Sequence, residues 1–296
     1  MSISALLALM LLAGPARAED QAQPAGSVEV KEYYDKAFTY YVDGDYPKAI
    51  EYWNMVLRAD PKQTTAKNMI EEARGKMAGS AVEIKGSFMR LVNRGQYSDA
   101  LIKLEELLAT DPTNPYYTRT QARLRAVSAA APARRASAAW NAAAEGISAW
   151  LGEEEDLPFA YDALRYASEL APADKAFPRL VAELEKESPQ LRLNDTKPAN
   201  IPILEHKKEL ALHQIYDSKF YLAVKELEEV LRLEPDDITS LKRIGSAYLQ
   251  LKDYRRARAA WQKALKLSPE DEQLPEYLKA LDSMREEKET KGQPKR

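Results

Sequence analysis

Two histidines, His206 and His213, come nearest in this chain to the spacing of a metal site. They lie seven residues apart, which places them on one face of a helix, and Glu209 stands between them. Two imidazoles and a carboxylate can bind zinc, but this spacing is not an established zinc pattern, and the sequence places no second carboxylate to orient the rings. We therefore expect exposed helix histidines, with no metal and no cofactor.

The segment GEEEDLP, residues 152–158, gathers four acids in one place. It lacks the alternate-ligand spacing and the closing glutamate of a calcium loop, and acids just before a helix are favoured by the helix dipole. The pattern predicts a capped, solvated turn. The chain has no cysteine, no phosphate-binding loop, no nucleophile elbow and no dinucleotide fingerprint. We therefore predict a protein that is not an enzyme.

The elements that carry these residues are set by an eighteen-residue segment that occurs five times. The copies span residues 44–61, 95–112, 155–172, 218–235 and 252–269. Each has an alanine at the same point, as at Ala257, then a bulky apolar residue four positions later (Trp261) and a smaller or branched one three after that (Ala264). These spacings put the three side chains on one face of an α-helix, and the proline that closes each copy ends that helix. The pattern predicts an all-α fold whose helices approach closely at the alanine.

The residues before the last copy complete a known motif. Leu241, Ile244, Gly245 and Tyr248 stand where a Trp-x2-Leu-Gly-x2-Tyr pattern belongs, and this unit resembles the tetratricopeptide repeat. The resemblance implies helix-turn-helix pairs that stack into an α-solenoid, with the first helices lining a concave groove. The second copy departs from the pattern, because Phe88 takes the place of the small residue.

The spacing of the prolines indicates additional helices between the repeats. Successive closing prolines are 51, 60, 63 and 34 residues apart, and only the last distance matches one repeat. The first three distances leave room for a further helix, and candidate helices occupy residues 64–77, 115–129, 173–187 and 271–287. Because a helix pair cannot bury its apolar stripe alone, we interpret these helices as caps of short blocks. A continuous array with divergent intervening repeats is the alternative.

The N-terminus predicts export. An apolar run from Ile3 to Ala13 is too short to span a bilayer, and it is followed by Ala16-Arg17-Ala18, the small-x-small pattern of a signal-peptidase site. Cleavage after Ala18 would leave a periplasmic or secreted bacterial protein without a membrane span; an uncleaved anchor is the alternative. Lys and Arg number 43 against 46 Asp and Glu, so we expect no nucleic-acid partner.

These observations divide the chain into seven predicted parts. They are a signal peptide (1–18), a disordered leader (19–29), repeats with extra helices (30–129), a divergent repeat block (130–187), a linker (188–203), a C-terminal repeat pair with a capping helix (204–287) and a disordered tail (288–296). The linker is the firmest boundary, because it carries Pro, Asn and Asp and lacks helical periodicity.

The candidate binding surface is the concave groove that the resemblance implies. Its residues are Lys31, Tyr34, Phe38 and Tyr41 in the first copy, Lys85 and Met89 in the second, and Lys208, Leu212 and Lys242 in the last two. Apolar and aromatic side chains beside lysine suit an extended peptide or an amphipathic helix. Alternatively, the aromatic residues of the first copy pack on the leader or on an extra helix.

Three functions are consistent with this surface. The first is a non-catalytic scaffold or adaptor of the cell envelope that binds a protein partner in the groove. The second is an accessory part of a peptidoglycan-processing enzyme, although no segment is left over to form a catalytic domain. The third is self-assembly through the divergent third block.

Overall fold

The computed structural model describes residues 25–131 and 136–291, and every regular element in these ranges is helical. The helices are α1 (Ala25–Val42), α2 (Tyr46–Ala59), α3 (Thr64–Asn93), α4 (Tyr97–Thr110), α5 (Pro115–Ala130), α6 (Ala138–Leu151), α7 (Leu157–Leu170), α8 (Ala176–Glu187), α9 (Gln190–Leu193), α10 (Ile203–Tyr216), α11 (Phe220–Leu233), α12 (Ile238–Gln250), α13 (Tyr254–Leu267) and α14 (Gln273–Lys291). The predicted all-α class of helix-turn-helix repeats is confirmed. Among these helices, none is both long and apolar enough to cross a membrane.

The ends of the chain differ in part from the prediction. The signal peptide lies outside the described residues. Helix α1 begins at Ala25, inside the range expected to be a leader, and α14 continues to Lys291, inside the range expected to be a tail. In both places the helix extends beyond the repeat pattern, because residues 25–29 and 288–291 contain no proline to stop it.

The chain forms two compact units, unit 1 ending at Ser80 and unit 2 beginning at Ala81. This boundary falls inside the predicted block 30–129, and it falls within α3, which is 30 residues long. The separate helix predicted at 64–77 and the first helix of the second repeat are therefore one helix. The physical reason is that no proline occurs from Thr64 to Asn93, so nothing forces a break there; the helix ends just before Gly95, whose φ of 72° forms the turn to α4.

Unit 1 consists of α1, α2 and the first part of α3. Its core contains Ala37, Ala49, Trp53 and Ala66, none of which is exposed to solvent. Asp45 caps α2 by accepting a hydrogen bond from the backbone N–H of Lys48. The repeated alanine thus does in unit 1 what its spacing predicted: it lets two helices approach.

Unit 2 repeats the same packing. Ala100, Ala160, Ala223 and Ala257 are completely buried, one in each repeat of this unit. The helices predicted at 115–129, 173–187 and 271–287 are present as α5, α8 and α14. The prolines Pro112, Pro172, Pro235 and Pro269 each follow the end of a helix by one or two residues, as expected.

The predicted linker 188–203 does not separate two blocks. Ile203 and Leu204, at the start of α10, belong to the same hydrophobic core as α6, α7 and α8. Asp195 of the connecting segment pairs with Arg165 of α7 at 2.7 Å, and the backbone N–H of Ile203 donates to the carboxylate of Glu169 at 3.0 Å. The connection contains the one-turn helix α9, and these polar contacts attach the rest of it to α7.

In four of the five repeats, the turn between the paired helices contains one residue in the left-handed region of φ. The residues there, Gly44, Gly95, Ser218 and Lys252, have φ values of 81°, 72°, 60° and 62°. Glycine adopts this left-handed conformation without a steric penalty, whereas serine and lysine do not. The two C-terminal repeats therefore keep the turn geometry at some conformational cost.

Candidate functional site

The predicted groove of unit 1 lies on the surface of α1. Lys31 and Phe38 are exposed, with 52% of Phe38 accessible, and Tyr34 is half-buried against the core of unit 1. Val42, one turn beyond Phe38, is 68% exposed. Residues four apart are neighbours on a helix surface, so Phe38 and Val42 form one continuous apolar strip with Tyr34 at its edge.

Tyr41 takes a different role from the one predicted for it. Its hydroxyl donates to Glu72 of α3 at 2.5 Å, its ring lies 5.5 Å from that of Trp53, and the Lys76 ammonium lies 4.6 Å from the ring centroid. The hydrogen bond from Tyr41 is the main reason that the pKa of Glu72 is lowered. Tyr41 therefore packs on an additional helix, which is the alternative raised from the sequence.

In the second repeat, the chain itself fills the predicted groove. Lys85 forms an ion pair with Glu153, and Met89 is half-buried against the main core of unit 2. The hydroxyl of Ser148, near the end of α6, donates to the side-chain oxygen of Asn93 at 2.9 Å. The carboxyl end of α6 and the loop after it thus lie against the face that Lys85 and Met89 were expected to leave open.

The loop after α6, residues 152–156, is a capped and exposed turn, as its acids predicted. Asp156 caps α7, accepting from the backbone N–H of Phe159 at 3.1 Å, and Glu153, Glu154 and Glu155 are exposed. Glu153 and Glu155 also form ion pairs with cations on α3 and α5. The sequence could not reveal these pairs, because the partners lie about 30 to 70 residues away along the chain.

Arg123 of α5 is the most buried cation of this region, with its side chain 4% exposed. It donates to the carbonyl of Trp150 at 2.7 Å and pairs with the carboxylates of Glu155 and Glu187. Burial alone would lower the pKa of Arg123, but the hydrogen bonds to Glu187 and Glu155 outweigh it and raise the pKa. Arg123 therefore stays charged and connects α5, α6 and α8.

The predicted groove lysines of the last two repeats bind aspartates at the start of the next helix pair. Lys208 lies 3.1 Å from Asp237, and Lys242 lies 2.7 Å from Asp271. In both pairs the aspartate follows the lysine by 29 residues. Leu212, between these pairs, is half-buried. These lysines connect successive repeats and are not free cations on an open groove.

A buried lysine of α10 was not singled out from the sequence. Lys207, with a side chain 9% exposed, lies 2.9 Å from Asp162, 2.9 Å from Glu226 and 2.6 Å from Glu229. Burial would lower the pKa of Lys207, but the three carboxylates together raise it. The only sign of Lys207 in the sequence is that a lysine stands at a position of the repeat where helices pack together.

An open cavity of about 490 Å³ lies beside Lys207 and includes His206 in its lining. His213 is exposed on the same helix. Within residues 25–131 and 136–291, no group of three or more His, Asp or Glu side chains is arranged to hold a metal ion. The two histidines and Glu209 thus do not form a metal site in the described part of the chain.

Comparison with known proteins identifies one repeat. Residues 239–271 match the family model of the tetratricopeptide repeat, which covers α12 and α13. No curated protein matches the sequence. The fold and this match define the chain as a helical-repeat protein with a tetratricopeptide repeat near its C-terminus.

Several solved structures align over most of the chain at low identity. The TPR2AB-domain:pHSP90 complex of yeast Sti1 is 15% identical over 89% of this chain and 86% of that chain, with a TM-score of 0.28. The TPR domain of P58(IPK) is 14% identical over 88% and 99% of the two chains, with a TM-score of 0.29. MamA is 17% identical over 82% and 93%, with a TM-score of 0.21. These scores do not show a shared overall arrangement.

Proposed function

We propose that this protein is a non-catalytic scaffold or adaptor of the bacterial cell envelope that binds protein segments on α1 of unit 1. A helical-repeat fold with a tetratricopeptide repeat supports protein binding in general. The observation that carries the choice of surface is the exposed strip of Phe38 and Val42, flanked by Tyr34 and Lys31. Contiguous exposed apolar side chains commonly mark a protein-binding surface.

The chemistry of the strip fits an amphipathic helix or an extended segment with apolar side chains. Phe38 and Val42 offer apolar area, and Lys31 lies on the same face for an acidic group of the partner. In the other predicted groove positions, lysine already has an intramolecular carboxylate. Of the predicted groove surfaces, the one on α1 of unit 1 is therefore the most accessible to a partner.

Removal of the strip tests the proposal. We expect F38A/V42A to reduce photo-cross-linked partner recovered from envelope fractions at least tenfold, because both side chains are more than half exposed and contribute little to folding. The matched control is Y221A/L222A, an adjacent aromatic and aliphatic pair on α11 that is 78% and 51% exposed. Equal recovery from F38A/V42A, the control and the unmodified protein would reject this surface.

The envelope location is supported by the apolar run Ile3–Ala13 and the site that ends at Ala18. The full-length gene product, expressed in a bacterium, should appear in the periplasmic fraction with a mass that begins at Glu19. A mass that begins at Met1, in any fraction, contradicts this part of the proposal without affecting the binding surface.

A further inference from the structure

Three cations of unit 2 lie near one another on two helices. They are Lys85 on α3 and Arg119 and Arg123 on α5, and we refer to them as the basic face. The loop of residues 152–156, the acidic loop, follows the end of α6 and lies against this face. Every cation of the basic face forms an ion pair with a carboxylate of the acidic loop.

The pairs are divided between two glutamates. Glu153 pairs with Lys85, whereas Glu155 lies 2.7 Å from Arg123 and 3.7 Å from Arg119. Glu153 is 62% exposed and Arg119 is 44% exposed, so water screens these interactions. Solvated pairs contribute little individually, so a competing acidic segment can replace them. The third cation, Arg123, is only 4% exposed, and it keeps Glu187 as a partner when Glu155 leaves.

Two further contacts hold the backbone that leads into the acidic loop. The hydroxyl of Tyr116 donates to the carbonyl of Leu151 at 2.9 Å, and Arg123 donates to the carbonyl of Trp150 at 2.7 Å. Both carbonyls belong to the last turn of α6, where helical partners are missing. These contacts hold the end of α6 in place. The glutamates of the acidic loop, which follow it in the chain, form the ion pairs with the basic face.

Lys85 lacks the aspartate partner that the corresponding lysines have in the last two repeats. In the last two repeats, the lysine at the corresponding position is bound by an aspartate 29 residues further on, Asp237 or Asp271. The same distance from Lys85 leads to Asn114, which caps α5 with its side-chain oxygen. A neutral amide cannot neutralise the lysine, and the charge of Lys85 is met by Glu153 instead.

We propose that the basic face is a docking surface for acidic segments of a protein partner, and that the acidic loop is its intramolecular competitor. The inference rests on the proposed function of the chain as a protein-binding scaffold, and it adds the chemistry of a second partner segment and a means of regulation. Charge complementarity carries it: two partly exposed cations, Lys85 and Arg119, are paired with Glu153 and Glu155 of the same chain. A partner with several carboxylates displaces Glu153 and Glu155 and binds Lys85 and Arg119, while the buried Arg123 stays paired with Glu187.

Fluorescence anisotropy with a labelled peptide copy of the loop, GEEED, tests the proposal on the full chain. We expect E153Q/E155Q to bind GEEED at least tenfold more tightly than the unmodified protein, because the competing carboxylates are gone. The neutral peptide GQQQN should bind neither protein. E270Q/E272Q, which neutralises exposed acids in the loop before α14, is the matched control and should leave the affinity unchanged.

Two variants locate the binding on the basic face. K85Q/R119Q in the E153Q/E155Q background should abolish the gain, and N114D in that background should reduce it, because aspartate retains the helix cap but supplies Lys85 with a carboxylate. All substituted side chains except Asn114 are at least one-third exposed, and circular dichroism confirms that each variant is folded.

The inference is overturned if E153Q/E155Q binds GEEED no better than the unmodified protein, or if GQQQN binds equally well. It is also overturned if K85Q/R119Q leaves the gain intact. The proposed function fails separately, in the cross-linking experiment with F38A/V42A. Since those residues lie in unit 1 and the basic face lies in unit 2, GEEED binding should be the same in F38A/V42A as in the unmodified protein.

Discussion

The first and last repeats have a tryptophan at the same position, but only one of the two indole nitrogens forms a hydrogen bond. In the last repeat, Trp261 donates to the carbonyl of Lys242 at 3.1 Å. In the first repeat, the corresponding nitrogen of Trp53 is buried and has no hydrogen-bond partner among the described residues. Trp261 lies against Tyr277 of α14 at 5.3 Å, whereas Trp53 lies against Tyr41 of its own first helix at 5.5 Å.

The residue that explains this difference is the glycine of the repeat motif. A Cβ atom on Gly245 would lie 2.3 Å from the indole nitrogen of Trp261, which real atoms do not tolerate. The first repeat has Ala37 at the corresponding position, completely buried. Gly245 therefore lets Trp261 come close enough to the backbone of the neighbouring helix to form a hydrogen bond. In the first repeat, where Ala37 takes that position, Trp53 packs without such a bond.

The largest expected effect comes from exchanging the two residues. G245A should destabilise unit 2 by about 2–3 kcal/mol, because the new methyl group displaces Trp261 and its buried N–H loses its acceptor, against a gain of about 1 kcal/mol in helix propensity. The matched variant A37G should cost unit 1 less, about 1.5–2 kcal/mol, from the loss of helix propensity and of one buried methyl group. Urea unfolding followed by tryptophan fluorescence and circular dichroism measures both.

If G245A destabilises unit 2 no more than A37G destabilises unit 1, each relative to the unmodified protein, the close approach of Trp261 does not govern the stability of the last repeat. The explanation of the first repeat would then fail with it, since it depends on the same steric argument.

A second, smaller effect separates the hydrogen bond from the packing. W261F and W53F both remove an indole from a buried site, at 2% and 0% exposure, so the loss of apolar area is similar. W261F also removes a hydrogen bond, whereas W53F removes a buried N–H that has no partner. We expect W261F to be the more destabilising by about 1 kcal/mol. Thermal unfolding of the two proteins and of W53F/W261F checks the difference, and equal losses would show that the indole nitrogen contributes nothing.

The same comparison shows how far the sequence predicts the fold. The alanine spacing and the closing prolines predict helix pairs correctly, because both act within one or two turns of a helix. Gly245 and Tyr248 identify the last repeat for the same reason. The continuous helix α3 was missed because a pattern of repeats implies a break after each helix, and no residue between Thr64 and Asn93 forces one.

The candidate site was predicted less well, for a physical reason. Exposure of Phe38 follows from its position on one helix, and the structure agrees. The lysines Lys85, Lys208 and Lys242 are on the expected faces, but each meets a carboxylate from a distant part of the chain. Helical periodicity states which face a side chain occupies, and it does not state what the chain places opposite that face.

The smallest effect concerns the lysine–aspartate pairs that connect the last repeats and are missing from unit 1, where Tyr34 and Gln63 take the two positions. Burial would raise the pKa of Asp237, but hydrogen bonds from Ser240 and Lys208 outweigh it and hold the pKa below its ordinary value of 3.8. A lowered folded-state pKa gives stability that is present above about pH 4 and is lost as the pH falls through that lowered value.

D237N keeps the helix cap and removes the charge. It should therefore cost less than about 1 kcal/mol at pH 7, because Lys208 keeps Glu205 as a partner when the charge of Asp237 is removed, and nothing at pH 2. Urea unfolding of unit 2 at the two pH values measures this, and a cost that is the same at pH 2 and pH 7 would mean that Asp237 acts as a cap alone.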